Sequence, residues 1–160
     1  MTVQPGDKIP AATVYEMTAD GPVNVSTADL FGGKTVVLFG LPGAFTPTCS
    51  AQHLPGYVGL AAQFKDKGVD EIVCFAVNDA FVMGAWGKEQ SVAGKVRMIA
   101  DGSGELTHKL GLELDLIERG LGMRCERFAM VVEDGTVKSI DVEAPGEFQV
   151  SSGAAQLSKL

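Results

Sequence analysis

The sequence predicts an α/β domain in three layers, a central mixed β-sheet flanked by helices. Three observations carry this. Two continuous apolar runs, Thr35 to Gly40 and Glu71 to Val77, are each followed by a helical pattern. Two further strand patterns flank an Asp-Gly turn, and the chain closes on a capped helical stretch. Alternating βαβα followed by a hairpin and a helix is the signature of a sheet that is parallel in part and antiparallel at one side.

Thr35-Val-Val-Leu-Phe-Gly40 reads as a strand covered on both faces, hence central. After the loop Leu41 to Phe45, Thr46-Pro47-Thr48 has the order of an N-cap followed by proline at the first helical position. The helix begun there meets Pro55-Gly56, which should kink or break it. Its pattern resumes with Tyr57, Val58, Leu60, Ala61 and Phe64 and ends at Lys65-Asp-Lys-Gly68. Glu71 to Val77 is the next buried strand, and Asn78-Asp79 caps a helix containing Phe81, Val82, Ala85 and Trp86. Lys95 to Ala100 alternates as a short strand. Arg127 to Val132 and Val137 to Val142 form a hairpin across Glu133-Asp-Gly-Thr136, and Ser151 to Leu160 reads as a terminal helix. The thioredoxin-like arrangement is the nearest common case of this order.

At 160 residues, 46% hydrophobic, the chain suits a single domain over residues 1–160 with one well-buried core. The net charge of −7 argues against nucleic acid as a partner. The longest apolar stretch, Thr35 to Leu41, is far short of the ~20 residues that span a bilayer, so no membrane role is expected. Met1-Thr-Val-Gln4 lacks a basic, apolar leader, which implies a protein that stays in the cytoplasm where it is made. Three cysteines do not make a disulfide scaffold, and the odd count points to a thiol with other work in a reducing compartment. Cys49, Cys74, Cys125, His53 and His108 show no paired ligand spacing, so no metal is expected.

The informative segment is Pro42-Gly-Ala-Phe-Thr-Pro-Thr-Cys49, which puts a thiol in the first turn of a helix that follows a central strand. Free N–H groups and the positive end of the helix dipole favour a thiolate at such a place. On position alone an inert buried cysteine stays equally open.

Pro42, Thr46 and Cys49 match the Pro-x-x-x-Thr-x-x-Cys motif of peroxiredoxins. With His53-Leu-Pro-Gly56, Val77-Asn-Asp-Ala-Phe-Val82 and Arg127-Phe-Ala-Met-Val-Val132, the chain resembles the type II, or type-five-like, peroxiredoxins over nearly its whole length. The resemblance implies a thiol peroxidase whose reactive cysteine is Cys49, with Thr46 and Arg127 completing the site and Pro42 shielding it. Its substrates would be hydrogen peroxide and small alkyl hydroperoxides, with peroxynitrite a further candidate. No cofactor is implied, only an external thiol reductant, either glutaredoxin with glutathione or thioredoxin. A homodimer is expected on the same ground, with Phe45, Phe81 and Trp86 as a contact patch; all three could equally be core residues.

Attack of a thiolate on a hydroperoxide leaves a cysteine sulfenic acid. Lowering a thiol pKa from ~8.5 to well below 7 enlarges the thiolate fraction only ~30-fold at neutral pH. The rest of the acceleration must come from donors aimed at the breaking O–O bond, a role suited to the Thr46 hydroxyl, the Arg127 guanidinium and first-turn amides. His53, four residues after Cys49, shares its helix face. That spacing permits a rival cysteine hydrolase with His53 as base, although His53 also suits a supporting hydrogen-bonding role. His108 reads as a solvated helix residue.

The resemblance gives Cys74 a resolving role, since plant-like type II peroxiredoxins carry a second cysteine there. Plain core packing among Ile72, Val73 and Phe75 explains Cys74 as well. Cys125, two residues before Arg127, reads as a bystander on the same strand face as the arginine. A non-enzymatic alternative, a peroxide-sensing switch or chaperone-like interaction protein, would use the same thiol but stop after one oxidation.

Overall fold

The computed structural model describes all 160 residues. Seven strands form one sheet: β1 (Thr13–Thr18), β2 (Gly21–Ser26), β3 (Thr35–Gly40), β4 (Glu71–Ala76), β5 (Arg97–Ala100), β8 (Phe128–Glu133) and β9 (Thr136–Val142), in the order β2-β1-β5-β4-β3-β8-β9. A separate two-stranded ribbon joins β6 (Glu113–Leu116) to β7 (Gly122–Cys125). The helices are α1 (Thr27–Phe31), α2 (Leu54–Asp66), α3 (Ala80–Glu89), α4 (Glu105–Leu110) and α5 (Gly153–Leu157).

The centre of the sheet is the parallel pair β3 and β4, with Phe39 opposite Cys74. Val36 through Gly40 and Ile72 through Ala76 are buried, because helical layers cover both faces. Alternate residues therefore serve different cores. Val37, Phe39, Cys74 and Ala76 pack under α2 and α3 with Cys49, Leu54, Tyr57 and Trp86. Val36, Leu38, Val73 and Phe75 pack on the other side with Leu30, Leu106, Cys125 and Phe128. The fold is the thioredoxin-like α/β arrangement, and the β8–β9 hairpin turns through Asp134 and Gly135, both at positive φ (46° and 76°).

Four local expectations are corrected. Pro55-Gly56 does not break its helix: residues 47–66 run on helically through a π-turn at Cys49–His53. Leu54 N–H bonds to Cys49 O rather than Ser50 O, and this widened turn admits Pro55, which has no N–H to give, within the continuous helix. Strand β8 starts at Phe128, so Arg127 lies outside it. Cys125 therefore does not share a face with Arg127; it belongs to the core on the opposite side of the sheet. Finally, Trp86 is fully buried and is no part of a contact patch, whereas Phe45 and Phe81 are 49% and 66% exposed.

Gly40 ends β3 and launches the loop to Cys49. A Cβ here would come within 3.0 Å of three atoms of the Phe128 ring, which is itself fully buried. Gly40→Ala is expected to cost about 1–3 kcal/mol, the usual penalty for overpacking a well-filled core. Urea unfolding checks this, and a loss below about 0.5 kcal/mol would mean that the ring simply moves aside.

Candidate active site

Cys49 stands where the β3 loop meets the helix, and its side chain is fully buried. The first backbone bond of the helix runs from Ser50 N–H to Thr46 O (2.9 Å), so the amides of Thr48 and Cys49 lie in the open first turn. Thr46 does not act as a side-chain cap. Its hydroxyl donates to Gly43 O at 2.7 Å, committing its one proton to the loop and leaving the oxygen as an acceptor. This reverses the donor role expected of it.

Pro42 is half-buried, and its carbonyl accepts from Arg124 Nη1 at 3.0 Å. A side chain at Gly43 would put its Cβ 2.5 Å from the same nitrogen. Arg124 thus braces the loop from β7, a role that no sequence spacing announced. Ala44 N–H is tied to Asn78 Oδ1 at 2.9 Å, which anchors the loop to the end of β4. Phe45 adopts a left-handed backbone (φ 63°), a conformation that a non-glycine residue holds at a cost of order 1–3 kcal/mol and that is concentrated at functional loops.

Arg127 reaches this point from the other side of the sheet's end. Its Nη2 donates to Cys49 Sγ at 3.2 Å and its Nη1 donates to His53 Nδ1 at 2.8 Å. Arginine only donates, so His53 Nδ1 accepts and its proton sits on Nε2, which donates to Ser151 O at 3.0 Å. Tyr57 Oη–H shares that carbonyl at 2.7 Å. Burial, then the neighbouring Arg127 charge, lowers the His53 pKa to about 3. Both ring nitrogens are occupied and the ring is neutral, so His53 is not a base for Cys49, and the hydrolase reading falls.

The C-terminal segment completes the enclosure. Glu143 Oε2 accepts from Ser151 Oγ (2.6 Å), Ser151 N–H (2.8 Å) and Gln149 N–H (2.8 Å). Burial alone would raise this carboxyl, but those donors outweigh it and hold the Glu143 pKa below the usual carboxylate value. Phe148 packs edge-on against His53 (5.1 Å between centroids) and lies 5.8 Å from the Arg127 guanidinium carbon. Glu143, Phe148 and Ser151 lie far from Cys49 in sequence, and only the folded chain brings them together.

Cys74 is buried mid-strand on the same sheet face as Cys49, and burial, reinforced by the Cys49 charge, pushes its thiol pKa well up. Burial likewise raises that of Cys125. All three cysteines are free thiols. His108 is exposed, with Nδ1 2.7 Å from Glu113 Oε1. No three His, Cys, Asp or Glu side chains cluster as metal ligands do, and no helix is long and apolar enough to cross a membrane.

A thiol at a helix start on a thioredoxin-like sheet, gripped by an arginine, defines a thiol redox protein. The redoxin family model matches residues 4–157. Peroxiredoxin-2C of Arabidopsis thaliana is 51% identical over 148 residues, covering 92% of this chain and 91% of its own. Hybrid peroxiredoxin hyPrx5 of Haemophilus influenzae is 43% identical over 163 residues, covering 100% of this chain and 67% of its own. Reduced Prx3 of Vibrio vulnificus, solved in complex with hydrogen peroxide, superposes with a TM-score of 0.94 at 48% identity, covering 99% of each chain. The chain belongs to the peroxiredoxins, the thiol-dependent peroxidases, and within them to the type II, five-like group.

The buried neutral His53 makes stability depend on pH. Above pH 6.5 the ring is neutral folded or unfolded; below it the unfolded chain takes up a proton that the folded one refuses until about pH 3. Stability contributed by this group is therefore full above 6.5 and lost as the pH falls. Between pH 6.5 and 4.5 the loss should be about 2–3 kcal/mol, at 1.36 kcal/mol per unit. Urea unfolding across that range should show the slope in the wild type and less than half of it in His53→Gln; a flat wild-type profile would contradict a neutral, buried ring.

Proposed function

We propose that the peroxidase reaction runs at Cys49. The Cys49 thiolate attacks one oxygen of a hydroperoxide, the O–O bond breaks, and its electron pair leaves on the second oxygen, which takes a proton and departs as water or an alcohol. The product on the protein is Cys49 sulfenic acid. The observation that carries this reading is the Arg127 guanidinium, which donates to Cys49 Sγ while its other nitrogen is fixed on neutral His53. A cationic donor so placed follows the charge from sulfur onto the stretching O–O bond. Thr46 Oγ1, its proton held by Gly43 O, accepts from the O–H of the incoming peroxide, and Pro42 shields the sulfur from bulk water.

The enclosed sulfur favours small substrates: hydrogen peroxide and small alkyl hydroperoxides, with peroxynitrite also within the size limit. The similarity to a Vibrio vulnificus protein solved with hydrogen peroxide supports the first of these. The chain needs no bound cofactor in this cycle, only an external thiol, supplied by glutaredoxin with glutathione or by thioredoxin. Three free cysteines suit a reducing compartment such as the cytoplasm. Family membership favours a turning-over enzyme over a switch that stops after one oxidation.

Cys74 closes the cycle as a resolving residue only after the Cys49 turn opens, because its own position within β4 keeps its thiol buried and protonated. The same opening exposes the sulfenic acid to an external thiol, which then competes with Cys74 for it. Cys49→Ser should abolish peroxide consumption with every reductant, and Cys125→Ser should leave most of it. Cys74→Ser should retain turnover with glutathione plus glutaredoxin and lose it with thioredoxin, a reductant that needs a disulfide to attack. Retained turnover in Cys49→Ser would remove Cys49 from the reaction, and equal rates with both reductants in Cys74→Ser would remove Cys74.

The chain also pairs with a second copy in this reading, through the exposed Phe45 and Phe81 beside the site. Sedimentation of the reduced protein at tens of micromolar should give twice the chain mass, and Phe81→Arg should give a monomer. A monomeric wild type overturns the pairing.

A further inference from the structure

The π-turn at Cys49–His53 leaves a hydrogen-bonding deficit that the helix does not make good. Leu54 N–H, which an α-helix would direct to Ser50 O, goes to Cys49 O instead. The next donor in the i→i+5 pattern belongs to residue 55, a proline without an N–H. Ser50 O, one residue after the reactive thiol, is thereby left with no helical partner.

Its partner comes from another element. Gln90, at the C-terminal cap of α3, donates from Nε2 to Ser50 O at 3.2 Å. A carbonyl only accepts, so this contact fixes which end of the amide faces it. Trp86, one helical turn earlier, donates its Nε1–H to Ser50 Oγ at 3.0 Å. Two side chains of α3 thus grip both oxygens of Ser50, the residue joined to Cys49.

We propose that Trp86 and Gln90 are positioning residues that hold the Cys49 turn closed, and that release of their grip sets how often oxidised Cys49 opens to an external thiol. The inference rests on Cys49 being the peroxide-reactive thiol. Cys49 Sγ is fully buried, so a thiol must wait for the turn to move before its sulfur reaches the back of the S–O bond. In that capture an S–S bond forms, the S–O bond breaks, and hydroxide leaves with a proton as water. While the turn stays closed, only a second small peroxide reaches the sulfur. The sulfenate then attacks it, the O–O bond breaks, and sulfinate and water result. The grip divides Cys49 between these two fates.

The test treats full-length protein with hydrogen peroxide at a fixed glutathione concentration and measures sulfinic acid against glutathione mixed disulfide at Cys49 by mass spectrometry. Gln90→Leu keeps the bulk and removes the donor. It should lower the sulfinate-to-disulfide ratio about fivefold, the fold-change equivalent to about 1 kcal/mol for one hydrogen bond. The rate of the first oxidation should change less than twofold, since the closed form remains dominant. Gln90→Lys, which restores a donor, should return the ratio toward wild type. Val137→Ala, a destabilising change in the core on the opposite face, should leave it unchanged. An unchanged ratio in Gln90→Leu, or the same shift in Val137→Ala, overturns the grip. Wild-type Cys49 left unmodified by peroxide would instead overturn the reading of Cys49 itself.

Discussion

One guanidinium organises the site. Arg127 donates to Cys49 Sγ and to His53 Nδ1, and each contact constrains a different part of the chain. The His53 contact fixes the ring's tautomer, and the Nε2 proton then selects Ser151 O as its acceptor. Ser151 is in turn held by Glu143 through its amide and its hydroxyl. Glu143 N–H returns to Arg127 O at 2.9 Å, so the chain of bonds closes on the residue where it began. Burial, with the Arg127 charge second, keeps the histidine neutral, and the donors that face Glu143 hold its pKa below the usual carboxylate value. The arrangement delivers a positive group to the Cys49 sulfur, as the proposed peroxide reduction there requires.

The position of Arg127 follows from the gap between the β6–β7 ribbon and the main sheet. Strand β7 stops at Cys125 and β8 starts at Phe128, leaving Glu126 and Arg127 free of strand geometry. Were the strand continuous, alternation would have put Cys125 and Arg127 on one face. The break lets Cys125 drop into one core while the guanidinium crosses to the other side, where Cys49 lies.

Much of the fold was legible because its signals are local. The apolar runs of β3 and β4, the Asp79 cap of α3 and the Asp134-Gly135 hairpin each sit within a few residues of what they specify. Cys49 was legible for the same reason: its helix start and its motif are contiguous. The β1–β2 hairpin leaves no such pattern, because it closes an edge of the sheet and buries only Val14 and Val25, too little to impose a period. The π-turn is not legible either, because proline breaks i→i+4 bonding, whereas the i→i+5 bond from Leu54 N–H to Cys49 O accommodates it. Arg124, Glu143, Phe148 and Ser151 carried no signal at all, since their work depends on where distant segments meet.

The two sides of the sheet also explain how three thiols coexist with an oxidising substrate. Cys125 is sealed in the core opposite to Cys49, and the sheet itself lies between them. Cys74 shares the Cys49 face but sits mid-strand, with its thiol pKa raised by burial and by the charge at Cys49. Thiolate character, which controls nucleophilic attack on peroxide, is thus opposed at both of these positions, while the donor from Arg127 is delivered only to Cys49. Selectivity among chemically identical side chains comes from electrostatics and access, set by strand phase and by one break between two strands.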